Sequence, residues 1–238
     1  MAGEDIVINR MQAFIDAWEK TGDRRTIFLS CYAVMTRNML EAVEAEDFED
    51  NVWVGKLLQR FAEYYFTALE AYEKEQRAPI VWQLAFNATR QPQIHVLQNL
   101  ILGVNAHINY DLVFALADTL MPEWPDLNQE QRLSRYRDHC HVNEIINHTI
   151  DSVQDTVIER YSLSLEVLDK VMGPLDEWIT SWFIADWREK VWENATLLLQ
   201  SSDDIEREAL RQKVEKHSIG RAHSLLGDDG LVGLMNLI

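Results

Sequence analysis

QIHVLQNLILGVNAHINYDLVFALADTL, residues 93–120, carries apolar side chains around most of a helical circumference. Placed at about 100° steps, Ile94, Val96, Leu97, Leu100, Ile101, Leu102, Val104, Ile108, Leu112, Val113, Phe114 and Leu116 leave no continuous polar face. A helix that is apolar all round belongs in the middle of a bundle. The segment therefore predicts an axis about which the rest of the chain packs. Asn105, His107, Asn109 and Asp111 interrupt it. Each must find a donor, a cation or a water-filled pocket, because a carboxylate buried without partners costs several kcal/mol.

On either side of this axis the chain reads as further amphipathic helices. They are expected at 5–20, stopped by Thr21-Gly22-Asp23; at about 25–45; at about 53–76, ending before Pro79; and at 79–90 with its proline at the start, where a missing N–H is harmless. Beyond the Met121–Pro125 break, a long stretch from about 128 to 172 runs to Gly173-Pro174, with helices at about 175–200 and 203–226 to follow. The tail LVGLMNLI is apolar and suited to packing onto the body or a partner. Nine glycines and five prolines, nearly all between periodic segments, leave little room for β-turns or βαβ crossovers. No repeat and no linker divides the chain. The expected fold is all-α: one domain over 1–238, a multi-helix bundle of about seven or eight helices around the apolar central helix 93–120.

A net charge of −17 repels phosphate backbones and anionic lipid, so neither nucleic acid nor a membrane is an expected partner. The acidic run EAVEAEDFED, residues 41–50, reads as a solvated helix end and loop. Cys31 and Cys140 lack ligand spacing and read as reduced thiols. An acidic N-terminus without an apolar core, and no run of about 18 apolar residues, point to a cytoplasmic protein.

His107 and Asp111 are i and i+4 and share one helix face, while Asn105 and Asn109 form a second such pair pointing elsewhere. A His and an Asp one turn apart suit joint metal ligation, or a base held by its carboxylate, or a buried hydrogen bond that sets helix register. In DHCHVNEIINHTIDSVQD, residues 138–155, His141, Glu144, His148, Asp151 and Asp155 line one side opposite a Val/Ile stripe and are expected to face water. His139 and Asn143 project toward the core, with Asp138 at its border. Two inward polar pairs on two helices make a shared site, as bundles build metal and substrate pockets from facing helices. Asp138 and His139 thus join His107 and Asp111 as candidate ligands of one divalent ion, zinc or iron, and Asn105, Asn109 and Asn143 are candidates for positioning a substrate. Tyr32, Tyr64, Tyr65 and Tyr72, with the eight tryptophans, are candidates for an apolar pocket, although core packing is the commoner use of large rings. Among them Tyr65 and Trp192, together with Arg37 and Arg188 in apolar or aromatic settings, are candidate substrate contacts, the arginines for a carboxylate. His217 and His223 read as surface residues. The chain has no phosphate-cradling glycine loop, nucleophile elbow, HExxH, CxxC pair or di-iron ExxH repeat.

NAHINYDL at 105–112 resembles the signature of a bacterial family of helical proteins of unknown function, of the form N-A-H-I-N-x-D-L. FLSCYAVMT at 28–36, FEDNVWVGKLLQRFAEYY at 48–65, the Pro79/Trp82 pair, HVNEII at 141–146 and Arg188 to Trp192 look similar too, so the resemblance covers about 25–200. It singles out Asn105, His107, Asn109, Asp111 and Asn143 and implies no activity. A fainter likeness links His-x3-Asp to helical zinc phosphodiesterases, whose further clustered histidines and N-terminal Trp ligand are missing here.

Two functions follow as expectations. One is an enzyme acting on a small molecule through His107 and Asp111, by metal-assisted hydrolysis or a lyase or cyclase step. The other is a non-catalytic helical module that binds a ligand or protein partner, its polar residues forming a core network. A homodimer is compatible with either.

Overall fold

The computed structural model describes residues 4–153 and 182–227. Among these residues it is all-α: α1 Glu4–Thr21, α2 Thr26–Glu44, α3 Asn51–Glu73, α4 Ile80–Thr89, α5 Val96–Leu120, α6 Gln129–Val153, α7 Trp182–Gln200 and α8 Asp204–Leu226. The expected continuation from 154 to 172, the Gly173-Pro174 break, Asp155, Trp178 and the apolar tail fall outside the described residues, as do the side chains of Asp151, Trp182 and Phe183.

Local chemistry sets the helix ends. At the first turn Gly22 takes φ +69°, which side chains with a Cβ rarely adopt. Asp50 caps α3 by accepting from Trp53 N at 2.9 Å. Pro79 precedes α4 as its cap rather than occupying its first turn. His95 starts α5 three residues later than expected: its Nδ1 faces Leu97 N while Gln98 Oε1 accepts from His95 N, a reciprocal cap. Asn128 and Gln131 exchange the same pair of bonds ahead of α6, and Asp203 caps α8 from Glu206 N.

α5 lies in the centre as its pattern predicted, touched by α2, α3, α4, α7 and α8. It is long and apolar enough to cross a membrane, contrary to the expectation from apolar runs, yet 83% of its most apolar stretch is buried inside the bundle. Its neighbours therefore account for its hydrophobicity. Gly103 allows α2 to approach, because a methyl there would overlap the Phe28 ring. The core has two halves. One gathers α1, α2, α4, the second half of α3 and the end of α8 around α5 as far as Ala106; the other gathers the first half of α3, most of α7 and the end of α2 around α5 from Leu112 onward. His107–Asp111, between them, forms a single π-helical turn with Leu112 N–H bonded to His107 O.

The acidic run is more than a solvated loop. Asp50 is a cap, and Arg135 and Arg137 of α6 bond Asp50 and Glu49. Cys31 and Cys140 are free thiols.

Candidate functional site

The π turn holds His107 and Asp111 together in the interior, 3% and 1% exposed. π turns of this kind are frequent at functional positions. His107 Nδ1 lies 3.0 Å from Asp111 Oδ2, and Trp82 Nε1 of α4 donates to both oxygens of Asp111, at 3.1 and 3.0 Å. Aromatic rings enclose the imidazole: Phe61 stacks on it with centroids 3.6 Å apart and planes 8° from parallel, and Tyr32 meets it edge-on at 4.2 Å. Burial pushes His107 well below the usual imidazole range and Asp111 well above the usual carboxylate range, with Trp82 restraining the latter. Both shifts follow from one cause, a low-dielectric site that disfavours each charged form. A neutral imidazole beside a carboxylic acid, and an imidazolium beside a carboxylate, hold the same number of protons. The pair therefore remains uncharged overall in either arrangement.

His107 Nε2, the nitrogen away from Asp111, is buried without a hydrogen-bond partner. The residue borders a cavity of about 150 Å³ between the two core halves, walled mainly by apolar and aromatic side chains including Phe28, Tyr32, Trp53, Leu57, Phe61 and Trp187. Cys31 lines it as well, its thiol pushed up to about 12 by burial.

Asp138, His139 and Arg188 close another part of this wall. Asp138 is buried, but its oxygens accept from the backbone N–H groups of Glu49 and Asp50, at 2.8 and 3.0 Å. It ties α6 to the loop before α3. His139 Nε2 donates to Arg188 O at 2.9 Å, leaving Nδ1 as an acceptor 3.3 Å from Arg188 Nη2. Arg188 also donates from Nη2 to His139 O and from Nε to Asn143 Oδ1, both at 2.6 Å. Burial, then the neighbouring guanidinium, lowers His139 well below its usual range. The two inward pairs do border one cavity, as expected, through His107 and His139. The proposed ligand set does not assemble: Asp138 and His139 spend their donor atoms on backbone and on Arg188. Among the described residues no three His, Cys, Asp or Glu side chains come together to hold an ion.

Asn105 and Asn109 face away from the cavity. Asn105 Nδ2 donates to Ser218 O of α8, Asn109 Nδ2 donates to Asn105 Oδ1, and Arg221 Nη1 reaches Asn109 Oδ1. The Ser218 hydroxyl, 2.9 Å from the π-turn carbonyl of Asn109 and 3.0 Å from Val214 O, completes the clasp. These asparagines dock α8 and are not near a substrate in the cavity.

The remaining candidates separate. Tyr65 is fully buried behind the cavity, its hydroxyl without a partner and its pKa raised by burial. Trp192 is half-buried with its ring 5.3 Å from that of His139. Arg37 is exposed, which corrects its placement in an apolar setting: its neighbours Thr36 and Met39 turn inward while it points out. Tyr64 and Tyr72 bond Asp118 and Asn87. Glu144 and His148 face water, and His141, less exposed, pairs with Glu144 at 2.9 Å. Sequence reasoning passed over Ser218, held Phe61 only within a stretch of the resemblance, and took Trp82 as one of the eight tryptophans and as part of the resemblance, without Asp111 as its partner. An indole N–H in an otherwise apolar helix needs a buried acceptor, and that was the available signal for Trp82.

The chain belongs to the family of unknown function DUF5995, which it matches over residues 5–228, a wider span than the resemblance implied. It matches no curated protein and no solved structure.

Proposed function

We propose, since the family offers no activity to carry over, that this chain binds a small, largely apolar molecule in the cavity beside His107. One observation carries the reading: a cavity of about 150 Å³ with an apolar wall that nevertheless contains an imidazole lacking a partner at Nε2. An engineered apolar cavity of similar size, about 150 Å³, stays dry and takes up benzene. At ~24 cal/mol per Å³, leaving such a space empty costs about 3–4 kcal/mol, a large share of a typical stability of about 5–15 kcal/mol. An occupant that fills it restores that packing. The other polar side chains support a binding role, because Asn105, Asn109 and Asp138 are engaged in joining helices.

Toluene, added to the full chain, is expected to raise the thermal midpoint in a concentration-dependent way. Val54→Phe, which fills the cavity from α3, is expected to abolish that response. The proposal is lost if toluene leaves the wild-type midpoint unmoved.

A second reading, acid–base catalysis on the bound molecule, is favoured by the unpartnered Nε2 with Asp111 behind it: with the proton shared at Nδ1, Nε2 carries its hydrogen and is placed to act as a general acid. The test is conversion of a ligand recovered from purified protein by native mass spectrometry. Turnover by wild type but not by His107→Gln, with binding retained in both, supports it. The donor arrangement favours neither zinc nor iron, and elemental analysis of purified protein is expected to find neither in stoichiometric amount.

A further inference from the structure

We propose that Arg188 is an anion subsite of the cavity and that the natural ligand is a compact apolar molecule ending in a carboxylate. The inference rests on the cavity-binding reading and specifies the chemistry of its ligand.

Arg188 is 5% exposed and lies in the cavity wall. Its protein partners are all neutral: Asn143 Oδ1, His139 O and His139 Nδ1. Among the described residues no carboxylate reaches it. Asp138, the one carboxylate among the described residues of the cavity wall, is turned to two backbone amides. Arg25, Arg60, Arg135 and Arg137 each hold two acidic groups, whereas Arg24, Arg132 and Arg221 bond neutral acceptors as Arg188 does; what sets Arg188 apart is that those three are all less deeply buried. Burial lowers Arg188 only to about 10, so the guanidinium is charged at neutral pH.

An uncompensated ion in the interior costs several kcal/mol, and neutral acceptors offset part of that cost. The donors already used, Nε and Nη2, hold the guanidinium in a fixed orientation against α6. Nη1 donates to no described residue. A carboxylate entering the cavity would supply both the missing charge and an acceptor, in the charge-assisted geometry that arginine favours. Thr36 Oγ1, Trp53 Nε1 and His107 Nε2, unpartnered polar atoms of other wall residues, add neutral hydrogen-bonding capacity. Most of the remaining wall is apolar or aromatic, and the volume suits a single ring. Against a net charge of −17 a buried cation is the more distinctive: among the described residues no other arginine or lysine is buried.

The test titrates the full chain with benzoate, benzyl alcohol and toluene, three probes of similar shape. Calorimetry reads affinity, and the fluorescence of Trp53 and Trp187, both in the cavity wall, reports occupancy. Benzoate is expected to bind wild type about tenfold tighter than benzyl alcohol, the scale of a charge-assisted hydrogen bond. Arg188→Gln should erase that preference while toluene still binds, and Arg188→Lys should keep part of it. Equal affinity for benzoate and benzyl alcohol in wild type, or a benzoate preference that survives Arg188→Gln, overturns the anion subsite and leaves the cavity reading standing. Failure of all three probes removes both. Should Arg188→Gln not fold, the wild-type comparison and Arg188→Lys still decide.

Discussion

His107 and His139 are both buried neutral imidazoles, yet they respond differently to acid. His107 shares its proton question with Asp111. Burial lowers His107 and raises Asp111, so their contributions to the slope of stability with pH have opposite signs and offset one another. His139 has no carboxylate partner, only Arg188. Its folded pKa is depressed, so below about 6.5 the unfolded chain binds the extra proton, and stability is full above that pH and falls on acidification. Urea unfolding at about pH 5 and about pH 7 is expected to show this loss, and His139→Gln to flatten the slope by about one proton. Trp82→Phe keeps an aromatic ring but removes the donor that both oxygens of Asp111 share. A loss of about 1–3 kcal/mol in urea unfolding is expected; no loss would mean the indole merely fills space.

Helix α5 shows how far periodicity carries and where it stops. Its apolar circumference placed it in the centre, and its i,i+4 pairs separated His107/Asp111 from Asn105/Asn109 onto different faces, as the structure has them. The π turn was not legible, because nothing in HINYD distinguishes it from an α-turn; the bond from Leu112 N–H to His107 O is a choice made where two core halves meet. Ser218 of α8 bonds the Asn109 carbonyl within that turn. Ser218→Ala should destabilise by about 1 kcal/mol, measured by denaturant midpoint. Gly103→Ala forces a methyl into the Phe28 ring and should cost about 1–3 kcal/mol. Phe28→Leu in the same chain should recover part of it; a purely additive double variant would argue against the contact.

Charge acts on the molecule as a whole. At −17 the folded chain repels itself, and salt screens that repulsion as the Debye length shrinks from ~30 Å near 0.01 M to ~8 Å at 0.15 M. The thermal midpoint should rise over that range; a fall would show that ion pairs such as Arg135 with Asp50 and Glu123 outweigh the repulsion. The cavity too belongs to this scale, since α2, α3, α5, α6 and α7 all contribute wall residues.

Periodicity and composition were enough for the all-α class, the central position of 96–120 and the inward turn of His107, Asp111, His139 and Asn143, because those depend on how one helix distributes its own side chains. They could not say what each inward group meets. Trp82 on Asp111, Arg188 on His139, α8 on Asn105 and backbone amides on Asp138 are contacts between helices far apart in the chain. Hydrogen bonds in an interior are settled by which partner lies within about 3 Å, and only the packed bundle determines that.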